Sequence, residues 1–283
     1  MPKVPALVAL ATAVAFAMSP ACGAEKVASL GSVKAGHVGV DYTIAFLGIP
    51  FGHTQYDIHV GGDGYHTNSH FETSGIVSAF WQATIDATAA GQFTAAGISP
   101  AEYDSHYHRG GKPPRRVKLT YGTDGTPVLF ADPPYDTRKY PVTDAEKKEG
   151  LDPLSAATSV LAAVRESATN PCGTVAPVFD GRRRYNIEFT YLRDEPVKLD
   201  NGLFTGKAHL CQLHYNQIAG FKPKILKEGR ELPPAYAWLA EIPNASAPHG
   251  HYVVPLKLWS STGFGTVTAT LTQLKVEEGA GKS

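Results

Sequence analysis

The chain has 283 residues, and its 26 basic and 26 acidic side chains give a formal net charge of zero at neutral pH. Such a balance argues against nucleic acid or an anionic membrane surface as the main partner. The length is sufficient to bury a full core, and strand-like patterns along the chain favour a single β-rich domain.

The first two dozen residues have the composition of a secretory signal. Lys3 is followed by an uncharged apolar run from Val4 to Met18 and then by small residues up to Ala24. The run is too short for a stable membrane span, and the small residues predict cleavage after Ala24. The alternative is a lipoprotein signal with an acylated Cys22, although Ser19-Pro20 is a poor match to that pattern. We expect export to the periplasm.

The remaining chain has no second apolar run of 18 residues, so we expect no integral membrane segment. Loss of Lys3 with the signal leaves a net charge near minus one. The expected organisation is a cleaved signal at 1–24, a linker at 25–35, one β-rich domain at 36–276 and a disordered tail at 277–283.

The N-terminal half alternates apolar and polar residues with a period of two. This alternation predicts a hairpin over 37–60 that turns at Gly48 to Gly52. Further strands are predicted at 65–73, 85–89, 102–108, 117–121 and 128–130, with a short helix at 74–81. Gly97 to Pro100 reads as a loop, and 135–150 as a solvated connection.

An amphipathic helix is predicted over 153–166. Asp152 followed by Pro153 is typical of a helix start, with a carboxylate at the N-cap and proline at the first helical position. The helix carries one apolar stripe, made of Leu154, Ala157, Leu161 and Val164. Asn170-Pro171 would stop it.

A hairpin is predicted directly after this helix. Asp180-Gly181 separates Val178-Phe179 from a long alternating run, which is a strong hairpin signal. One face of the run holds Tyr185, Ile187, Phe189 and Tyr191; the other holds Arg184, Asn186, Glu188 and Thr190. Later strands are predicted at 206–215, 236–242, 251–259 and 266–274.

These patterns predict about ten to twelve strands with one convincing helix. Strands and helices do not alternate, so we expect a mainly β fold: a single curved antiparallel sheet, or an open or closed β-barrel, with one packed α-helix. The helix would act as a plug or lid on the concave apolar face. Such an interior suits an acyl chain or another apolar ligand.

Two cysteines remain after loss of the signal, Cys172 and Cys211. An even count in an oxidising compartment predicts a disulfide between them. The alternative is a pair of buried free thiols.

Arg183 is the main polar candidate for a ligand contact. Strand alternation puts it on the face of Tyr185 and Ile187, where a cation needs a counter-charge. The partner would be Asp180, Asp152 or a bound anionic headgroup, and Arg182 and Arg184 would lie on the solvated face.

Histidine pairs offer only weak metal candidates. His106 with His108, and His249 with His251, would each put two imidazoles on one face of a strand. Neither pair has an acidic residue at a fixed step, so we expect no metal and no cofactor. The chain also lacks a nucleophile elbow and a phosphate-binding loop, which argues against a familiar hydrolase or nucleotide enzyme.

The chain resembles one exported family, known as the domain-of-unknown-function 3108 family of Gram-negative envelopes. The resemblance rests on Asp152-Pro153-Leu154-Ser155, a cysteine ahead of Val178 to Tyr185, and Cys211 ahead of Ile218 to Phe221. It extends from the Gly48 turn through Trp238-Leu239-Ala240. The family has no assigned reaction, so it implies no catalytic residue. More loosely, the expected shape is similar to the curved open barrels of periplasmic lipoprotein carriers.

The resulting expectation is a non-enzymatic periplasmic protein of the cell envelope. It would bind a lipid, a lipidated protein or an envelope partner in a concave β-body, and not nucleic acid. The alternatives are a structural interaction module without a ligand and a hydrolase with an unrecognised site.

Overall fold

A computed structural model describes residues 33–164, 170–224 and 233–278, and it shows one antiparallel sheet of thirteen strands. In chain order the strands are β1 (Val33–Phe46), β2 (Ile49–Gly62), β3 (Gly64–Thr73), β4 (Ala83–Thr94), β5 (Gly97–Arg109), β6 (Arg115–Tyr121), β7 (Pro127–Asp132), β8 (Val175–Phe179), β9 (Arg184–Lys198), β10 (Thr205–Ala219), β11 (Ala235–Pro243), β12 (His251–Thr262) and β13 (Gly265–Glu278). The helices are α1 (Gly75–Ser78), α2 (Asp144–Lys148) and α3 (Pro153–Leu161). The mainly β prediction is confirmed. The predicted signal segment lies outside the described residues.

The sheet consists of two meanders joined at its centre. The strand order is β7-β6-β5-β4-β3-β2-β1-β13-β12-β11-β10-β9-β8, so every neighbour is consecutive in sequence except β1 and β13. Their pairing runs from Gly36 opposite Glu278 to Phe46 opposite Val267. The predicted tail boundary was therefore too early, because Glu277 and Glu278 belong to β13. The sheet remains open between β7 and β8.

The sheet curls around α3, which contacts β3, β4 and β5 on one side and β8 and β12 on the other. Alternation decides which side chains face inward: Val38, Val40 and Tyr42 of β1 are buried. No helix in the described ranges is long and apolar enough to cross a membrane.

Two turns of the N-terminal meander lie at other residues than the sequence predicts. The first hairpin turns at Leu47-Gly48, both with positive φ (51° and 80°), so β2 already begins at Ile49. Gly97 to Pro100 is the start of β5 and not a loop. The turn before it is Ala95-Ala96, which carries neither proline nor asparagine to announce it.

The connection between β7 and β8 contains α2, which was predicted only as a solvated segment. Thr143 and Glu146 form a capping box, with the Glu146 N–H donating to Thr143 Oγ1 at 3.2 Å. After α2 the chain runs along the outer edge of β8. There the Leu151 N–H donates to the Pro177 carbonyl and the Phe179 N–H to the Leu151 carbonyl, so this part of the edge is covered.

Helix α3 starts where the sequence predicts and ends earlier. Asp152 is the N-cap, and its Oδ1 accepts the N–H groups of Leu154 and Ser155 at 3.1 and 2.8 Å. The helix ends at Leu161, because Ala163 has a φ of 56°, and not at the predicted residue 166. The end of the predicted helix falls partly in 165–169, outside the described residues.

The predicted disulfide is confirmed: Cys172 and Cys211 are bonded, with their Cα atoms 5.6 Å apart. It ties the segment that follows α3 to the middle of β10. Both cysteines are buried with Ala163, Leu239 and Val253 in one cluster. The disulfide therefore fixes the end of α3 against the wall formed by β10 to β12.

Candidate ligand-binding site

A cavity of about 510 Å³ lies between α3 and the concave face of the sheet. Its volume falls within the range of about 300–1,000 Å³ that small-molecule sites occupy. Its lining includes residues of α3 (Ala156, Ala157), of β1 and β2 (Tyr42, Tyr56) and of β9 and β10 (Tyr185, Tyr215). The sequence predicts a concave apolar interior with a packed helix, but it does not decide whether that interior holds a cavity.

The small side chains of α3 leave room for this cavity. Ala156 and Ala157 face it together with Pro153, Val160 and Leu161, whereas Leu154 lies in the core. Any larger apolar residue at position 157 would project into the open volume. The two alanines are therefore the smallest side chains on the cavity face of the helix.

The opposite face of α3 is polar and is fixed to the sheet by hydrogen bonds. The Ser155 and Tyr65 hydroxyls are 2.7 Å apart, and the Thr158 and Thr67 hydroxyls are 2.8 Å apart. All four side chains are buried. Since buried hydroxyls are costly without partners, these pairs determine which face of α3 points to β3 and which to the cavity.

Asp152 is the buried carboxyl at the start of α3. Burial raises its pKa from 3.8 to about 6, against the opposing effect of hydrogen bonds from Ser155, Leu154 and Tyr121. The Tyr121 hydroxyl donates to Asp152 Oδ2 at 3.4 Å. Asp152 is thus a structural cap within the body and does not line the cavity.

The shifted pKa of Asp152 makes stability depend on pH. A folded-state pKa above the unfolded value of 3.8 means that the folded protein holds the proton more tightly. The resulting stabilisation is complete below about pH 4 and is lost as the pH rises through about 6, for a total of up to about 3 kcal/mol.

Asp152→Asn should remove this dependence, because an asparagine caps the helix without titrating. In urea unfolding from pH 4 to pH 7, the free energy of unfolding of the wild type relative to the variant should fall by up to about 3 kcal/mol. Other titrating groups cancel in the comparison. Parallel pH curves for the two proteins would contradict the assigned shift.

Two tyrosine hydroxyls of the cavity wall have no protein partner. Tyr42 and Tyr56 come from the adjacent strands β1 and β2, and Tyr42 is only 5% exposed. Neither hydroxyl makes a hydrogen bond within the described part of the chain, and burial raises the pKa of both. They stay protonated and offer hydrogen bonds to whatever occupies the cavity.

The side chains that line the cavity carry no charge in the part of the chain that the structure describes. The prediction that Arg183 enters the apolar face is wrong. Asp180 to Arg183 form a four-residue turn in which the Asp180 N–H donates to the Arg183 carbonyl, so β9 starts only at Arg184. Arg183 is exposed, and its guanidinium lies 5.5 Å from the centre of the Phe221 ring.

The acidic partners proposed for Arg183 have other roles. Asp180 Oδ1 accepts the backbone N–H groups of Arg182 and Arg183 at 2.9 and 2.7 Å. Arg184, expected on the solvated face, is the buried arginine. Its Nη1 donates to the Tyr185 carbonyl and to Asn186 Oδ1, both at 2.7 Å. The segment at Gly150 covers this face, which explains the burial.

A row of rings connects Arg183 to the cavity. The Phe221 ring is edge-on to Tyr215 with centroids 6.3 Å apart, and Tyr215 lies 4.6 Å from Tyr185. Both tyrosines line the cavity. Arg183 therefore lies beside the site, although not in it.

The histidine candidates lie away from the cavity. His106 is on β5, with its Nε2 3.3 Å from Asp104 Oδ1. His249 falls in the turn before β12, so it does not share a strand face with His251. Within the described ranges, no group of three His, Cys, Asp or Glu side chains is arranged to hold a metal.

Sequence reasoning missed the residues that define this site. Tyr42 and Tyr56 occupy alternating strand positions, and the pattern alone cannot show that a hydroxyl facing the cavity lacks a protein partner. The paired alanines 156 and 157 were a usable signal, since two small residues in mid-helix leave space on one side.

Residues 41–272 match a family model described as protein of unknown function DUF3108. No curated protein matches the chain at a significant level. Among solved structures, the chain is similar to a β-barrel-like protein of domain of unknown function DUF1849 from Brucella abortus. That likeness has 13% sequence identity and a TM-score of 0.46, and it covers 87% of this chain and 98% of the other.

Proposed function

Because this chain belongs to the family described as protein of unknown function DUF3108, whose description names no activity, we propose its function from the cavity. The protein binds the acyl chain of a lipid or of a lipidated protein between α3 and the concave face of the sheet. The observation that carries the proposal is an uncharged cavity of about 510 Å³ with two unpartnered tyrosine hydroxyls on one wall.

The chemistry of the lining favours this ligand class. The walls are aliphatic and aromatic, which suits methylene groups, since their transfer out of water is the main favourable contribution. Tyr42 and Tyr56 donate hydrogen bonds, so the bound molecule carries an acceptor such as an acyl ester or amide. A purely hydrocarbon occupant would leave both hydroxyls unpaired.

The proposed location is the periplasm. The apolar run after Lys3 supports export, and the joined Cys172 and Cys211 are typical of an oxidising compartment. A lipid carrier or sensor of the envelope would work there without an enzyme site. Signal cleavage can be checked by the N-terminal mass of the protein from periplasmic extracts.

The experiment fills the cavity from the helix. Ala157→Phe places a ring in the open volume, where it should exclude a chain while adding apolar contacts. Binding of the neutral fluorescent probe N-phenyl-1-naphthylamine should weaken by about tenfold or more, which corresponds to about 1.4 kcal/mol. In the wild type, 1-lauroylglycerol should displace the probe.

The matched control makes the same change on the exposed surface of β5, at Ala101. Ala101→Phe should bind the probe like the wild type, and both variants should show the circular dichroism of the wild type. Equal probe affinity in all three proteins would show that the probe binds elsewhere and would overturn the proposal.

A further inference from the structure

The exposed large apolar side chains are concentrated at one end of the sheet. Strands β1, β3, β5, β7, β8, β10 and β12 run in the same direction, so the connections that follow them lie at this end. Four exposed apolar residues of these connections, with Ile49 at the start of β2, form what we call the apolar rim: Leu47, Ile49, Ile76, Phe80 and Phe264. Phe264 is 91% and Phe80 89% exposed. Large apolar side chains that are exposed together in one patch mark an interaction surface.

The rim is continuous across three neighbouring turns. The Leu47 N–H donates to the Thr266 carbonyl at 2.9 Å, which joins the β1–β2 turn to the β12–β13 turn. The Ser74 N–H donates to the Phe51 carbonyl at 2.8 Å, which joins the α1 segment to the start of β2. These backbone contacts hold the apolar tips side by side as one surface.

The same end of the sheet is positively charged. Its connections and flanking strand ends carry the exposed cations Arg109, Lys112, Arg115, Arg138, Lys139, Arg182, Arg183 and Lys222. They outnumber the carboxylates of the same connections and strand ends, Glu72, Asp132, Asp136 and Asp180. Asp136 is paired with Arg138 at 3.1 Å, and Asp180 accepts backbone N–H groups.

The opposite end carries charges of both signs. Its turns and strand ends carry Asp63, Asp124, Asp200, Glu277 and Glu278, and also the exposed Lys198, Lys207 and Lys275. Helix α2 lies between the two ends: Lys148 Nζ is 3.9 Å from Asp124 Oδ2, and Gly150, just after the helix, packs against Phe179 and Arg184. The balanced net charge of the chain therefore does not reveal that the end with the apolar rim carries an excess of cations.

From this arrangement we propose that the apolar rim and the cations around it bind the surface of an anionic phospholipid membrane. The turn tips enter the interfacial layer, and the arginines and lysines contact lipid phosphates. Apolar tips surrounded by cations fit this surface better than a protein partner, because the phosphates and the acyl region lie at two depths that match the two kinds of side chain. Membrane binding through the rim requires no ligand in the cavity.

The test is co-sedimentation of the protein with vesicles. Wild-type protein should bind vesicles of phosphatidylcholine and phosphatidylglycerol, bind pure phosphatidylcholine much less, and lose affinity as salt is raised. Phe80→Ser combined with Phe264→Ser should weaken binding by about tenfold or more. Both side chains are exposed, so folding should be unaffected, and melting curves check this.

The matched control removes two exposed apolar side chains from β7 instead, Val128→Ser with Phe130→Ser. This pair should bind the anionic vesicles like the wild type. The proposal is overturned if the wild type does not bind them at low salt, or if both pairs lose binding equally. It is also overturned if the rim variant only converts a dimer to a monomer, which would assign the rim to protein contacts.

Discussion

Leu161→Asp should unfold the protein or destabilise it by about 4 kcal/mol or more. Leu161 is 6% exposed and belongs to the core cluster that α3 shares with β3 to β5 and β8. A carboxylate there loses its hydration and finds no cation in the cavity lining. The midpoint of urea unfolding, followed by circular dichroism, should fall sharply, and the soluble yield should fall with it.

The matched control is the same substitution at Leu192 on β9, which is 40% exposed. Leu192→Asp should change the free energy of unfolding by no more than about 1 kcal/mol, because the new carboxylate stays hydrated. If the two variants unfold at the same urea concentration, α3 does not contribute its apolar stripe to the core.

Loss of the disulfide should destabilise the protein by up to about 4 kcal/mol. Cys172 and Cys211 are 39 residues apart, and a cross-link of that span restricts the unfolded chain by about this amount. The double variant Cys172→Ala with Cys211→Ala should show it in urea unfolding. Thiol labelling of the denatured, unreduced wild type should modify neither cysteine.

Reduction of the wild type serves as the control for this variant. It opens the cross-link while keeping both side chains in the buried cluster with Leu239 and Val253. Reduced wild type and the double variant should therefore lose similar stability, and the reductant should not affect the variant. A loss seen in the variant alone would reflect the missing sulfur atoms and not the cross-link.

Local signals predicted most of the strands and the helix start. The Asp152-Pro153 pair caps α3 as expected, because a cap depends on two or three neighbouring residues. The β8–β9 hairpin also forms where Asp180-Gly181 indicates. The α2 helix was missed although Thr143 and Glu146 are three residues apart, the spacing of a capping box.

Local signals cannot predict features that depend on the length of a turn or on residues that are distant in sequence. A turn of four residues instead of two keeps Arg183 out of β9, and Arg184 is buried on its predicted face because the segment at Gly150 covers it. The partnerless hydroxyls of Tyr42 and Tyr56 result from the curvature of the whole sheet. The group of cations around the apolar rim also depends on the strand order, because these residues are scattered along the sequence.

The pairing of β1 with β13 has a consequence for the order in which the chain can fold. Each meander can assemble from neighbouring segments as they become available, but the seam between them joins the first strand to the last. Until β13 has arrived, β1 presents an unpaired inner edge to solvent, and such edges recruit other chains. The sheet is therefore complete only after its last fourteen residues, Gly265–Glu278, have paired with β1. A chain shortened in this segment would lose the join between its two halves, and not merely an outer strand.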